Sequence, residues 1–313
     1  MHEKSAQDLI ISTDPKLQGQ AIPSFNTCFR ESSIARIFRT PGTISMDLAF
    51  LRDKGFRVYT ANQYPSLSVP HKAFIESLVA QYFYTKYTNS TSDLIPRFKS
   101  AQDVHVSVTT ETLSLQDLRL LHLSVVHGSS TQTVVFVAHN DTYLALIRSP
   151  SPVFLAEVLE SLSLDRPLSL RPLKLTHEFI TGYVNGLGAL LDPSGEGSDG
   201  TGEEPSTVGF GPVAMSFVPR KPLTGASLKE ICVEFPKEDT SRILRKGTPP
   251  LDCLYEWLKR TTTLQFQNID LATFSCGLFT FRANMVTISC PLEPENVPVV
   301  IIRTLLERVS SLF

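Results

Sequence analysis

Between Leu251 and Cys290 the spacing of apolar residues changes period once. Leu251, Leu254, Tyr255 and Leu258 recur at helical intervals, with Lys259 and Arg260 in the last turn where cations suit the helix dipole. Pro249 and Pro250 mark the start of that helix. Beyond it the pattern alternates. Leu264 and Phe266, then Leu271 to Cys276, Leu278 to Phe281 and Met285 to Cys290 are rich in Thr, Phe, Val and Ile, which predicts three or four strands. Ala283-Asn284 fits a two-residue hairpin turn, because Asn tolerates the left-handed conformation. A final helix is expected over Val299–Leu312, with Val299, Ile302, Leu305, Leu306 and Val309 on one face.

The same reading orders the first half. Residues 1–20 are polar and aperiodic and read as a disordered tail. Ser33–Phe38 suits a helical turn, Ile44–Lys54 a short helix stopped by Gly55, and Phe56–Thr60 a strand. His71–Tyr87 carries a broad apolar face and is the clearest helix of this half; the polar run after it reads as a loop. Val104–Thr110 alternates cleanly as a strand with one solvated face; Leu118–His127 and Thr131–Ala138 read as a hairpin across His127-Gly-Ser-Ser, and Tyr143–Ile147 as another strand. Ser149-Pro-Ser-Pro opens a helix over Val153–Leu162, so each of these serines is either a helix-start residue or a proline-directed phosphorylation site. A helix over Thr176–Leu191 is weakened by Gly182, Gly186 and Gly188; Gly182 and Gly186 either allow close packing or simply make a poor helix.

Residues 192–207 hold five acids, no bases and four glycines, and read as a disordered loop between an α+β half over 21–191 and an α+β dimerisation half over 208–313. Strands in meanders with interspersed helices predict an α+β fold with curved, mainly antiparallel sheets and helices packed on one face. The apolar fraction of 42% in 313 residues is enough for one large core or two smaller ones.

Several chemistries are disfavoured. A net charge of −2 excludes a chain that is polybasic throughout. No run approaches a membrane span, and the first residues lack the apolar stretch of a signal peptide, so Asn89-Ser-Thr and Asn140-Asp-Thr read as chance matches to a glycosylation pattern. Cys28, Cys232, Cys253, Cys276 and Cys290 are far apart and odd in number, which points to buried free thiols in a reducing compartment and to no metal. Gly195 to Gly200 matches a dinucleotide fingerprint by spacing, but Pro205 and a polar stretch follow it where a helix should begin, and the five carboxylates of the segment repel phosphate, so no cofactor is expected. His105, His122, His127 and His139 lie in or beside strands without a nucleophile elbow or metal-ligand spacing, so no catalytic residue is assigned and no enzyme is expected.

Two sets of residues suggest binding. Phe266, Phe274, Leu278, Phe279, Phe281, Met285, Val286 and Ile288 are many large apolar groups for a small meander, and form either the subunit's own core or a partner interface. Arg36, Arg39, Arg52, Lys54 and Arg57, with Arg220, Lys221, Arg245 and Lys246, are either an ordinary solvated surface or a phosphate-neutralising one facing DNA.

The stretch Leu251–Phe266 (LDCLYEWLKRTTTLQF) resembles the helix and first strand of the C-terminal domain of the centromere protein L family. Phe217–Leu244 resembles that family's strand, proline-containing loop, strand and acid-capped helix, and weaker matches cover Phe50–Pro65 and Ser151–Leu175. Order and spacing carry the resemblance over roughly residues 48–290; it fades after 290, and the acidic loop departs from it. The resemblance implies a non-enzymatic scaffold of the inner kinetochore, in the nucleus at the centromere, serving chromosome segregation. It implies a heterodimer with a centromere protein N homologue, joined edge to edge through the C-terminal sheets. Other inner-kinetochore subunits and centromeric chromatin and DNA are the further implied partners; a membrane is not. The alternatives are an α+β enzyme with a histidine-lined pocket, or a generic adaptor without DNA contact.

Overall fold

In the computed structural model, residues 48–65, 69–90, 99–115, 117–128, 130–149, 167–191, 210–220, 229–245, 247–262, 264, 266, 269–289 and 296–312 are described. They form eleven strands, mostly antiparallel, and five α-helices, an α+β fold as the alternation predicts. The chain divides into two compact units, one over Lys54–Leu173 with Val309–Phe313, the other over Met1–Asp53 with Lys174–Arg308.

In the first unit, strands β2 (Ser107–Leu115), β3 (Leu118–His127), β4 (Ser130–His139) and β5 (Thr142–Arg148) run as a meander, and β5 pairs with β1 (Gly55–Ala61). The connections are two residues long, and Gly128 (φ 58°) and Asn140 (φ 50°) supply the left-handed backbone that such hairpins need. Helix α1 (Val69–Ser90) lies over one face of the sheet. Its Ile75, Val79 and Phe83 share a core with Val108, Leu121, Leu123, Val125, Val134, Phe136 and Ile147. A short strand that the alternation does not predict, β6 (Leu170–Pro172), pairs with β1. Asn62 pins it, since its Nδ2 donates to the Pro167 carbonyl (2.9 Å) and its Oδ1 accepts from the Ser169 amide (2.8 Å).

In the second unit the strand order is β11 (Met285–Ile288), β10 (Phe279–Arg282), β9 (Asp270–Ser275), β7 (Val213–Val218), β8 (Ile231–Phe235). One face is aromatic and aliphatic: Met215, Phe217, Ile231, Val233, Phe235, Phe274, Phe279, Phe281, Val286 and Ile288 are all buried. The opposite positions are Thr273, Ser275, Thr280 and Thr287, with Cys232 and Glu234 exposed on β8. Helices α2 (His177–Leu191), α4 (Pro250–Thr262) and α5 (Asn296–Ser310) supply the apolar cover, and α3 (Lys237–Ile243) follows β8 with Glu238 and Asp239 in its first turn. Tyr183 of α2 sets its ring edge-on to Phe279 (5.2 Å) and Phe281 (4.8 Å), while its hydroxyl donates to the Ile301 carbonyl of α5 (2.9 Å). The Leu251 amide at the start of α4 donates to Asn185 Oδ1 of α2 (3.0 Å), satisfying one of the four orphan donors of a helix N-terminus.

Several expectations need correction. Helix α2, grouped by sequence with the N-terminal half, belongs by its contacts to the second unit, because its aromatic face is matched by Phe279 and Phe281. Leu48–Asp53 is a run of turns rather than the end of a helix. Asp53 adopts φ 54°, and its amide donates to the Ile288 carbonyl (2.8 Å). Leu264 and Phe266 lie outside any strand, so three strands follow α4. Strand β2 begins later and runs further than Val104–Thr110, α1 extends through Ser90, and α5 starts at Asn296. The expected tail 1–20, the turn Ser33–Phe38, the helix Val153–Leu162 and the acidic loop 192–207 lie outside the described residues.

Candidate interaction surfaces

The apolar residues of the C-terminal meander resolve into core. Phe279 and Phe281 are fully buried, and Phe266, Phe274, Leu278, Val286 and Ile288 are each no more than 5% exposed; only Met285, at 38%, reaches solvent. Phe266 packs on Phe217 (4.7 Å between ring centroids), and Phe210 meets Phe274 edge-on (6.5 Å). Seven of the eight side chains assigned to a partner interface are therefore spent on the subunit's own core. Strand alternation explains why: 279 and 281 lie on the same face as their cross-strand partners Ile288, Val286 and Phe274, and three helices cover that face.

What the second unit leaves open is an edge. Strand β8 pairs with β7 alone among the described strands, with Val213 opposite Phe235 through Phe217 opposite Ile231. Its burial alternates strictly, Ile231, Val233 and Phe235 inward and Cys232 and Glu234 outward. An unpaired edge of this kind is a template for a strand from another chain. Cys232 is exposed, and partial burial of its thiol, together with Glu230 and Glu234, pushes its pKa up. Cys253 and Cys276 are buried free thiols; burial drives Cys276 up to about 12, so it is inert to alkylation near neutral pH. Cys28 and Cys290 lie outside the described residues.

Three of the described basic candidates already face carboxylates. Arg52 lies 3.3 Å from Asp53, Arg220 2.8 Å from Asp270, and Arg245 3.5 Å from Glu256, so each has a carboxylate for a neighbour. Arg57 is exposed on β1 and Lys54 half-buried just before it, in the first unit. Arg36, Arg39, Lys221 and Lys246 lie outside the described residues. Alternation and charge counts in the sequence carry no sign of the Arg220–Asp270 pairing, which spans fifty positions.

The histidines are dispersed. His139 sits 3.1 Å from Asp117, and His122 sits 3.9 Å from Glu111. These two lie on one face of the β3–β4 pair, but His139 neighbours position 118 and His122 is four residues along, a separation of ~13 Å at ~3.3 Å per residue. His127 stacks on Phe83 (4.1 Å) with its Nδ1 3.1 Å from the His105 carbonyl, near the opposite end of β3. Burial lowers the pKa of His122 more than Glu111 raises it. His177 serves the fold, since its Nδ1 accepts from the Leu271 amide (3.1 Å) and so ties α2 to β9. Among the described residues no group of three or more His, Cys, Asp or Glu is placed to hold a metal, and no helix is long and apolar enough to cross a membrane.

No family model matches the chain, and no curated protein matches it.

Proposed function

We propose that this chain is a non-enzymatic structural subunit of the inner kinetochore, of the centromere protein L kind, acting in the nucleus at the centromere. The observation that carries the reading is the edge position of β8 in the stretch Phe217–Leu244, where the end of β7, β8 and a helix with Glu238 and Asp239 in its first turn follow in the order that the resemblance rests on. A centromere protein N homologue adds its own sheet there. Backbone hydrogen bonds along Ile231–Phe235 give affinity, and the alternation of Cys232 and Glu234 with buried neighbours sets register. The contribution to DNA is secondary and salt-dependent, and rests on Lys54 and Arg57 before the arginines that already face carboxylates. Dispersal of the histidines over separate partners argues against a histidine-lined catalytic pocket.

The test is co-expression with the partner homologue, followed by sizing and by maleimide labelling of the Cys232 peptide. A one-to-one complex in which Cys232 is shielded, and reacts again once the complex is dissociated, supports this function. A monomer that ignores the partner refutes it.

A further inference from the structure

Strand β2 (Ser107–Leu115) ends the strand order of the first unit, and among the described strands none pairs with its outer side. Leu115 and Leu118 flank the two-residue connection to β3, so they form a hydrogen-bonded pair, as do 113, 111, 109 and 107 with their partners. The amides and carbonyls of Val108, Thr110, Thr112 and Ser114 consequently point away from β3. A second observation agrees. The Val108 amide donates outward, to Glu76 Oε1 of α1 at 3.3 Å.

Natural edges are blunted by lysine, proline or bulges. Strand β2 (SVTTETLSL) has none of these, and its register against β3 is unbroken. Its one charge is Glu111, at the centre. In the register of fullest overlap with a second copy of itself, Glu111 would face Glu111, and like charges directly opposite are destabilising. The edge is thus open to pairing but set against pairing with itself. Glu76 adds a second carboxylate at the head of the strand, beside a groove of about 270 Å³ between α1 and residues 101–106, lined by Ser77, Ala80, Gln102, Val104 and Val106. Asp103 adds a further carboxylate near this end, with its Oδ2 accepting the Lys99 and Ser100 amides (2.8 and 2.9 Å).

We propose that the outer edge of β2 docks an extended basic segment of a partner protein, which joins the sheet as a further strand. Glu111 and Val108 are three residues apart and therefore address opposite faces. A partner strand with Lys or Arg three residues apart sets one cation against Glu111, on the face of His122. It sets the other against Glu76, on the face covered by α1. A carboxylate keeps lone pairs to spare, so Glu76 holds the Val108 amide while accepting the cation.

The full chain is titrated against a fluorescent peptide of alternating Thr and Val carrying two lysines three residues apart. Controls carry glutamates in place of the lysines, or lysines two residues apart on one face. The lysine peptide with the three-residue spacing should bind best, and the glutamate peptide about tenfold or more weaker. Thr112→Pro removes an outward amide without touching the ladder to β3, and should weaken binding about tenfold with an unchanged circular dichroism spectrum. Glu111→Lys should weaken the lysine peptide and favour the glutamate one, a reversal that tests the idea even if the proline variant does not fold. Equal binding of the lysine and glutamate peptides, or indifference to both variants, would overturn the proposal. So would a homodimer that Thr112→Pro dissolves, since that makes the edge a self-interface.

Discussion

At the scale of single residues, helix α2 separates three glycines that look alike in sequence. A Cβ at Gly188 would lie 2.3 Å from Pro250 Cγ, a ring that cannot swing away, and one at Gly182 would lie 2.5 Å from Arg308 Cζ. Gly186 is exposed and has nothing within 4 Å. Close packing is therefore the work of Gly188, since the neighbour at Gly182 is the far end of a flexible arginine, and it is not the work of the pair four apart that the sequence suggests. Gly186→Ala should stabilise by about 0.5–1 kcal/mol through helix propensity, whereas Gly188→Ala should destabilise; urea titrations of the two variants measure both signs. The turn between β10 and β11 makes a similar point. The left-handed residue is Ala283 (φ 53°), not Asn284, so Ala283→Gly should raise stability by about 0.5–1 kcal/mol in the same assay. His122 gives a pH dependence. Its folded pKa lies below the ordinary value, so the unfolded chain binds more protons between the two. Its stabilising contribution is complete above the unfolded pKa, near 6.5, and is lost as pH falls from there through the folded value. Glu111→Gln lowers the folded pKa further and should steepen that loss, seen in melting temperatures followed from pH 7 downward.

At the scale of elements, helical spacing is readable wherever one face is buried, and strands are readable either from alternation or, as in β4 and β5, from a short apolar run between turn signals. Strands β3, β4, β5, β9, β10 and β11 and helices α1, α2, α4 and α5 stand close to where the pattern puts them. What alternation cannot say is what covers the apolar face. Phe279 and Phe281 look the same in sequence whether a helix or a partner packs on them, and here Tyr183 of α2 does. Phe281→Ala should accordingly cost about 3–5 kcal/mol of folding stability, measured by urea denaturation of the isolated chain. A partner interface would have left that stability almost untouched. Strand β6 and the turns at Leu48–Asp53 are illegible in the sequence for a related reason. Each is fixed by a distant pairing, Tyr59 with Pro172 and Arg52 with Ile288, and short-range periodicity carries no trace of either.

At the scale of the whole molecule, the two units each end in an outer strand, β2 in the first and β8 in the second, and the two edges differ in chemistry. Strand β8 alternates buried aliphatic and aromatic residues with Cys232 and Glu234, whereas β2 is mostly hydroxyl-bearing with one central carboxylate. The aromatic meander serves folding. In the proposed function, β8 takes a strand from a centromere protein N homologue. The most direct measurement is the rate of maleimide modification at Cys232, read by mass spectrometry on the chain alone and on the co-expressed, sized complex. Ready modification of the free chain and strong protection in a one-to-one complex are predicted, with Cys276 unreactive in both until denaturant is added. Absence of a complex, or a complex in which Cys232 reacts as fast as in the free chain, would contradict the claim.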